Sequence, residues 1–293
     1  MLKFKKIELE DLETYQKYTE NCKGLSCENS FVNLLVWQCA YNNMMAVCEG
    51  LLFIKSGKEN KETFRLPIGN DFQKGMDILK KHCGKLPDFW VQEGSRYDKF
   101  IANYKNSYNI RESRDAFDYI YLQKDLAELS GKKYHSKRNH ISAFSKKFDW
   151  RYESITKKNL SDVKLCADNW YKENAHRLDS YMQCEKRGID IILDNFEVLN
   201  IKGGAIFVGE KMVAFTLGSP ITNEIFDIHI EKALKDYAES YTIINREFAK
   251  NELSDYRYIN REDDMGLEGL RKAKLSYKPH ILLKKFYCKA EEI

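Results

Sequence analysis

The sequence predicts an α+β chain of two similar domains, each a mixed central sheet flanked by helices. Two runs of three strand-like segments, at 44–66 and 204–230, are each preceded by helical segments and followed by the order helix, strand, helix, strand. A basic segment at 123–148 separates the halves.

Residues 10–20 and 29–38 read as helices. The second is opened by Asn29 and Ser30, whose short polar side chains suit a helix cap, and it sets Phe31, Leu34 and Leu35 on one side. Met44–Cys48, Leu51–Lys55 and Thr63–Leu66 read as strands, split by Glu49-Gly50 and by a polar turn at 56–60. A helix at 71–83, a strand at 89–92, a helix at 97–104 and a strand at 117–122 complete the first half. In the second half, Val163, Ala167 and Trp170 recur at helical spacing, and a further helix spans 181–199. Strands follow at 204–208, 212–217 and 225–230, then a helix from 240, a strand at 256–260, a helix at 266–276 and a strand at 281–287. This element order is that of the GNAT acyltransferase fold. The chain is therefore expected to hold two tandem GNAT-like acyltransferase domains, at 1–122 and 149–293, joined by a basic connecting helix at 123–148, with the active site in the second.

The 293 residues suit two domains of roughly 100–200 residues each, and 43% hydrophobic with 13% aromatic content excludes a disordered chain. The longest nearly apolar run, Phe31 to Trp37, is interrupted by Asn33 and falls far short of the roughly 18 residues that a membrane span needs, so none is expected. Glu8 and Glu10 stand where a signal peptide would be apolar, which points to a cytoplasmic protein. The eight cysteines show no Cys-x-x-Cys and no neighbouring histidine pair. They are expected to be packed thiols, with no metal site and no disulfide framework.

The formal net charge is only +4, which excludes a uniformly basic protein. Yet residues 131–147 carry Lys132, Lys133, Lys137, Arg138, Lys146 and Lys147 with no acid, leaving the rest of the chain slightly acidic. At 100° per residue, Tyr134, Ile141, Phe144 and Phe148 share a face about 80° wide, so this segment reads as a helix packed on one side. Its polar residues either form a solvated face or attract an anion such as tRNA, a lipid head group or a nucleotide. Lys137, Arg138, Asn139 and His140 are the binding candidates.

A second cluster begins at a strand end, where Asn260 and Arg261 lead into Glu262, Asp263, Asp264 and then a helix. A carboxylate there suits a general base on an amine or hydroxyl, and equally suits a helix cap. Glu262 and Asp264 are the catalytic candidates, with Asn260, Arg261, Arg271 and Lys274 binding substrate. Between Ile228 and Phe248 the chain has no glycine, so the backbone cradle that a GNAT enzyme offers to the pyrophosphate of acetyl-CoA is not expected. Asn245 follows on the next helix as a binding candidate. His229 lies in an apolar strand, the usual setting of a core histidine.

The stretches Leu129-Ser-Gly-Lys-Lys-Tyr-His-Ser-Lys-Arg-Asn-His-Ile-Ser-Ala-Phe144 and Asn260-Arg-Glu-Asp-Asp-Met-Gly-Leu-Glu-Gly-Leu-Arg-Lys-Ala-Lys-Leu-Ser-Tyr-Lys-Pro279 resemble the phosphatidylglycerol lysyltransferase C-terminal domain family. Relatives in that family move an aminoacyl group from aminoacyl-tRNA to phosphatidylglycerol, and their fold is similar to that of the Fem transferases. The resemblance implies acyl or aminoacyl transfer with no tightly bound cofactor. The donor would be aminoacyl-tRNA or, alternatively, acyl-CoA, and the acceptor a small molecule, lipid head group or peptide. A non-catalytic module that holds RNA or anionic lipid is the other reading. Lys272 falls near the place where many GNAT enzymes put a tyrosine general acid and joins Glu262 and Asp264 as a catalytic candidate. Arg138→Ala and Arg261→Ala are each expected to abolish transfer with little change in stability.

Overall fold

The computed structural model describes residues 1–22, 24–59 and 61–291. It divides into two compact units. Unit 1 holds Met1–Asp118, Asp263–Leu267 and the chain from Leu283 onward; unit 2 holds Tyr119–Glu262 and Glu268–Leu282. The units thus exchange segments, whereas the sequence reading set them end to end.

In chain order the elements are β1 (Lys5–Lys6), α1 (Leu12–Thr19), α2 (Phe31–Val36), α3 (Gln38–Tyr41), β2 (Met44–Cys48), β3 (Leu51–Ser56), β4 (Thr63–Phe64), α4 (Phe72–Cys83), β5 (Phe89–Gln92), α5 (Ser95–Tyr104) and β6 (Tyr108–Glu112). Next come β7 (Asp118–Leu122), α6 (Gln123–Glu128), α7 (His135–Lys147), β8 (Trp150–Ser154), α8 (Leu160–Glu173), α9 (Ser180–Asp194), β9 (Lys202–Val208), β10 (Lys211–Pro220) and β11 (Ile225–Ala233). The chain ends with α10 (Ser240–Glu252), β12 (Tyr258–Asn260), α11 (Glu268–Leu275), β13 (Ile281–Leu283) and β14 (Lys285–Ala290).

One seven-stranded sheet has the order β1-β2-β3-β4-β5-β14-β6, the other β13-β7-β12-β11-β10-β9-β8. In each, an antiparallel meander meets its next strand in parallel: β4 with β5, and β11 with β12. Both units therefore have the GNAT-like plan of a mixed sheet with flanking helices. The strand expected at 281–287 is two strands. Lys284 separates β13, in the second sheet, from β14, which enters the first between β5 and β6. Buried Lys285 anchors β14 in unit 1, its Nζ 2.8 Å from Asp118 Oδ1 and 3.4 Å from both Glu28 Oε1 and Cys27 Sγ. Burial opposes the charge on Lys285, but these acidic neighbours hold its pKa well above the usual lysine value.

The core of unit 1 gathers Phe53, Phe64, Leu79, Phe89, Phe100 and Tyr108, with Phe100 edge-on to Tyr108 at 4.9 Å. That of unit 2 gathers Tyr119, Tyr134, Phe144, Phe226, Ile244 and Phe248. The segment expected to connect the domains belongs to unit 2. Tyr134, Ile141 and Phe144 are buried, because the apolar face of α7 joins this core. The thiol expectation holds for Cys22, Cys27, Cys48, Cys83, Cys166 and Cys288, which are free, and fails for Cys39 and Cys184. Among the described residues no helix is long and apolar enough to cross a membrane.

Candidate active site

In unit 2, β11 and β12 pair only from Ile225↔Tyr258 to Asp227↔Asn260. β11 then runs on to Ala233 while the chain after Asn260 turns away, so the two backbones diverge. Side chains fill the opening. Asp227, His229 and Glu231 alternate along β11 with the apolar Ile228 and Ile230, as a strand's period of two requires.

Two constellations result. In the first, Arg261 Nη2 donates to Glu231 Oε1 at 2.7 Å, and Asn245 Nδ2, from α10, reaches Glu231 Oε2 at 3.5 Å. Arg261 Nη1 and Asn245 Oδ1 are buried and have no hydrogen-bond partner among the described residues. A buried polar atom left unpaired costs about 1–3 kcal/mol, so two at one place mark a site built for something else to bind. Burial works against the Arg261 charge, yet Glu231 raises its pKa above the usual arginine value.

Lys137, from α7, lies 3.8 Å from the centre of the Tyr277 ring. Burial first, and then the Arg261 charge, push its pKa down to about 8, with Glu231 opposing them. Between about pH 8 and the free value near 10.4, the unfolded chain holds a proton that the folded chain has released, so stability rises with pH there. Lys137→Gln is therefore expected to be more stable than the parent at pH 7, and thermal melts should show that advantage shrinking from about pH 8 to 10. An advantage that does not change with pH would contradict the depressed value.

In the second constellation, Ser219 Oγ lies 2.8 Å from His229 Nε2, and His229 Nδ1 lies 3.2 Å from Glu262 Oε1 and 3.5 Å from Asp227 Oδ2. Ser219 is closed to a substrate, and the His229 and Asp227 side chains are 2% and 0% exposed, against 18% for Glu262. A proton exchanged with a bound molecule would therefore pass through Glu262, with the imidazole behind it. Glu262 has φ of 55°, a left-handed conformation uncommon for a residue with a side chain, and its N–H donates to Asn260 Oδ1 at 2.7 Å. Asp227, His229 and Glu262 also each place one donor atom within 4.8 Å of the others, a spacing that a divalent cation fits.

At the approach to α10 four backbone N–H groups are already used. Lys235 N–H donates to Glu173 Oε2 at 2.9 Å, Tyr237 to Leu234 O, Tyr241 to Ala238 O and Thr242 to Glu239 O. A pyrophosphate there would meet the Glu173 carboxylate.

Residues 21–289 match the family described as phosphatidylglycerol lysyltransferase, C-terminal. The chain belongs to this family. It is similar, at 36% identity, to a conserved protein of unknown function from Bacteroides thetaiotaomicron, whose structure superposes with a TM-score of 0.91 over 99% of this chain and 100% of that one. The structure of L-PGS from Bacillus licheniformis shares the fold, at 14% identity and a TM-score of 0.63, over 96% of this chain and 92% of that one. An uncharacterized protein of Mycoplasmoides gallisepticum is 26% identical over 204 residues, 68% of this chain. The chain spans 61% of that relative's length.

In this family member, the diverging strands bring together Lys137, Asn245, Asn260, Arg261 and Glu262, together with Glu231, His229 and Ser219. Lys274 supports them, with its Nζ donating to the Arg261 carbonyl at 2.5 Å. Asp264 is not among them. It lies in unit 1, fully buried, pairing with Arg114 at 3.2 Å and accepting the Gly266 N–H, so its carboxylate shapes the turn before α11. Arg138 donates to the Leu129 and Gly131 carbonyls and holds the loop before α7. Asn139 and His140 are exposed on α7, where Asn139 meets His135. Arg271 and Lys272 sit on α11, with Lys272 exposed.

Glu231 and Ser219 escaped the sequence reading, and His229 was read there as a core histidine. The signal was present: a buried strand whose alternate positions are Asp227, His229 and Glu231.

Proposed function

We propose that the protein transfers an aminoacyl group from aminoacyl-tRNA to an amine or hydroxyl acceptor at the opening between β11 and β12. The observation that carries this reading is the pair of orphaned atoms beside Glu231. An aminoacyl ester offers an α-ammonium group, which suits Asn245 Oδ1 and Glu231, and a carbonyl oxygen, which suits Arg261 Nη1. The acceptor N or O adds to that carbonyl carbon, and the bond to the ribose oxygen breaks. Arg261 stabilises the oxyanion that forms in between. Glu262, backed by His229, takes the acceptor proton, and the departing ribose oxygen is protonated in turn. Family membership supports this class of chemistry, and the Glu173 carboxylate, with the engaged N–H groups of Lys235, Tyr237, Tyr241 and Thr242, weighs against acyl-CoA as the donor.

The test supplies tRNA charged with labelled amino acids one at a time, with phosphatidylglycerol vesicles or small amines as acceptors. Label is expected to move to an acceptor, and Glu262→Gln to slow the transfer by about 100-fold or more, the scale of a lost general base. Saturable release of free thiol from acetyl-CoA, with no transfer from any charged tRNA, would refute the proposal.

A further inference from the structure

Unit 1 contains an open cleft of about 1610 Å³ that plays no part in the chemistry above. Its walls come from the end of α4, the turn before β4, and the neighbouring strands β6 and β14. Arg111 pairs across with Tyr287 and Asn109 with Lys289, so these four side chains share one face of the β6–β14 ribbon, while Ile110 and Cys288 alternate to the other. Lys61, Lys80 and Lys85 line the remainder.

We propose that this cleft binds the sugar-phosphate backbone of RNA. Six cations line it, Lys55 among them, and the acids beside them are largely engaged. Glu62 pairs with Lys55 at 2.9 Å. Asp88 accepts the Tyr287 hydroxyl at 2.6 Å and the Ala290 N–H at 2.9 Å. Glu291 is the remaining acid along the walls. Among the described residues, Lys61, Lys80, Lys85 and Lys289 form no ion pair, and Arg111 spends only its Nε, on Asn109 Oδ1.

Size then selects the kind of anion. The cleft exceeds the roughly 300–1,000 Å³ of a small-molecule pocket, so a single nucleotide would leave most of it empty, whereas a polymer of phosphates fills it. Its concavity suits a strand rather than a flat bilayer, and half-buried Tyr287 offers a ring against which a base can stack. The choice of RNA over other polyanions rests on the aminoacyl-tRNA donor proposed above.

The experiment measures fluorescence anisotropy of labelled, uncharged tRNA with the full chain over a range of salt concentrations. The variant K80E/K85E/R111E/K289E is expected to bind at least tenfold more weakly. Its log-affinity against log-salt slope should be shallower by about 3–4, since each of the four phosphate contacts contributes about 0.7–0.9. Lys80→Gln and Lys289→Gln, at exposed positions, provide milder versions should the fourfold change perturb folding. Equal affinity and slope in parent and variants would overturn the proposal. So would a parent that binds phosphatidylglycerol vesicles through the same four residues and binds no tRNA. Transfer from a small aminoacyl ester reads the unit 2 chemistry alone. If the parent transfers from neither this ester nor charged tRNA, the donor reading fails and the RNA measurement stands.

Discussion

Arg261→Ala is expected to cost about 3–5 kcal/mol of folding stability, the usual result of stripping one partner from a buried ion pair. The sequence reading placed Arg261 at a strand end and expected little change in stability. Its actual surroundings reverse that expectation. Arg261 and Glu231 have side chains only 12% exposed, and among the described residues Glu231 would keep only the neutral Asn245 as a side-chain donor. The stacking of the guanidinium over Tyr277, 5.0 Å from the ring centre, would be lost as well. Against a typical total of about 5–15 kcal/mol, the variant would be marginal. Urea unfolding measures this directly. The double variant Arg261→Met with Glu231→Leu should recover most of the loss, because it removes the stranded charge and refills the space. If the single variant loses under about 1 kcal/mol, the pair is not the buried unit described above.

Gly218→Ala is the second change with a large expected effect. The β10–β11 register shifts between Leu217 and Gly218, where His229 of β11 is skipped in the pairing, and Ser219 then faces Asp227 across the strands. At Gly218 a Cβ would stand 2.1 Å from the Asp227 carbonyl oxygen and 2.4 Å from the Phe226 ring. A backbone oxygen paired in a sheet cannot step aside as a flexible side chain would. The penalty should therefore exceed the roughly 1–3 kcal/mol typical of overpacking, and soluble yield and melting temperature should both fall sharply. Gly269→Ala is the control: it lies in α11, where an added Cβ meets nothing within 4 Å, and it should stabilise by up to about 1 kcal/mol through helix propensity. Similar melting temperatures for the two variants would show that the bulge tolerates a side chain.

These two positions illustrate what a sequence can and cannot reveal. The meanders, the apolar face of α7 and the repeated element order were legible because burial imposes a period of two or 3.6 on the residues themselves. The strands that escaped notice, β1, β6 and β8, are all at the ends of their sheets, where charged side chains protect the edge and blur the alternation. The site was half legible. Asn260, Arg261 and Glu262 announced themselves as polar residues at a strand end. Asp264, two residues further on, looked equivalent and is not, since the left-handed turn through Glu262, Met265 and Gly266 carries its carboxylate to Arg114. Glu231 and Asn245 meet across β11 and α10, a contact that neither local stretch specifies.

The late strand β14 has a consequence for how the protein is made. β6, at 108–112, has β14 as its strand neighbour, and β5 waits for the same partner on its outer side. Until residues 285–290 leave the ribosome, both edges stay unpaired. At about 5–20 residues per second that interval is on the order of ten to thirty seconds. Unit 2 can meanwhile assemble the strands from β7 to β12, so the first sheet to be started is the last to be closed. The growing chain carries two exposed β edges for most of its synthesis, the period in which a chaperone or a neighbouring nascent chain has its opportunity to bind.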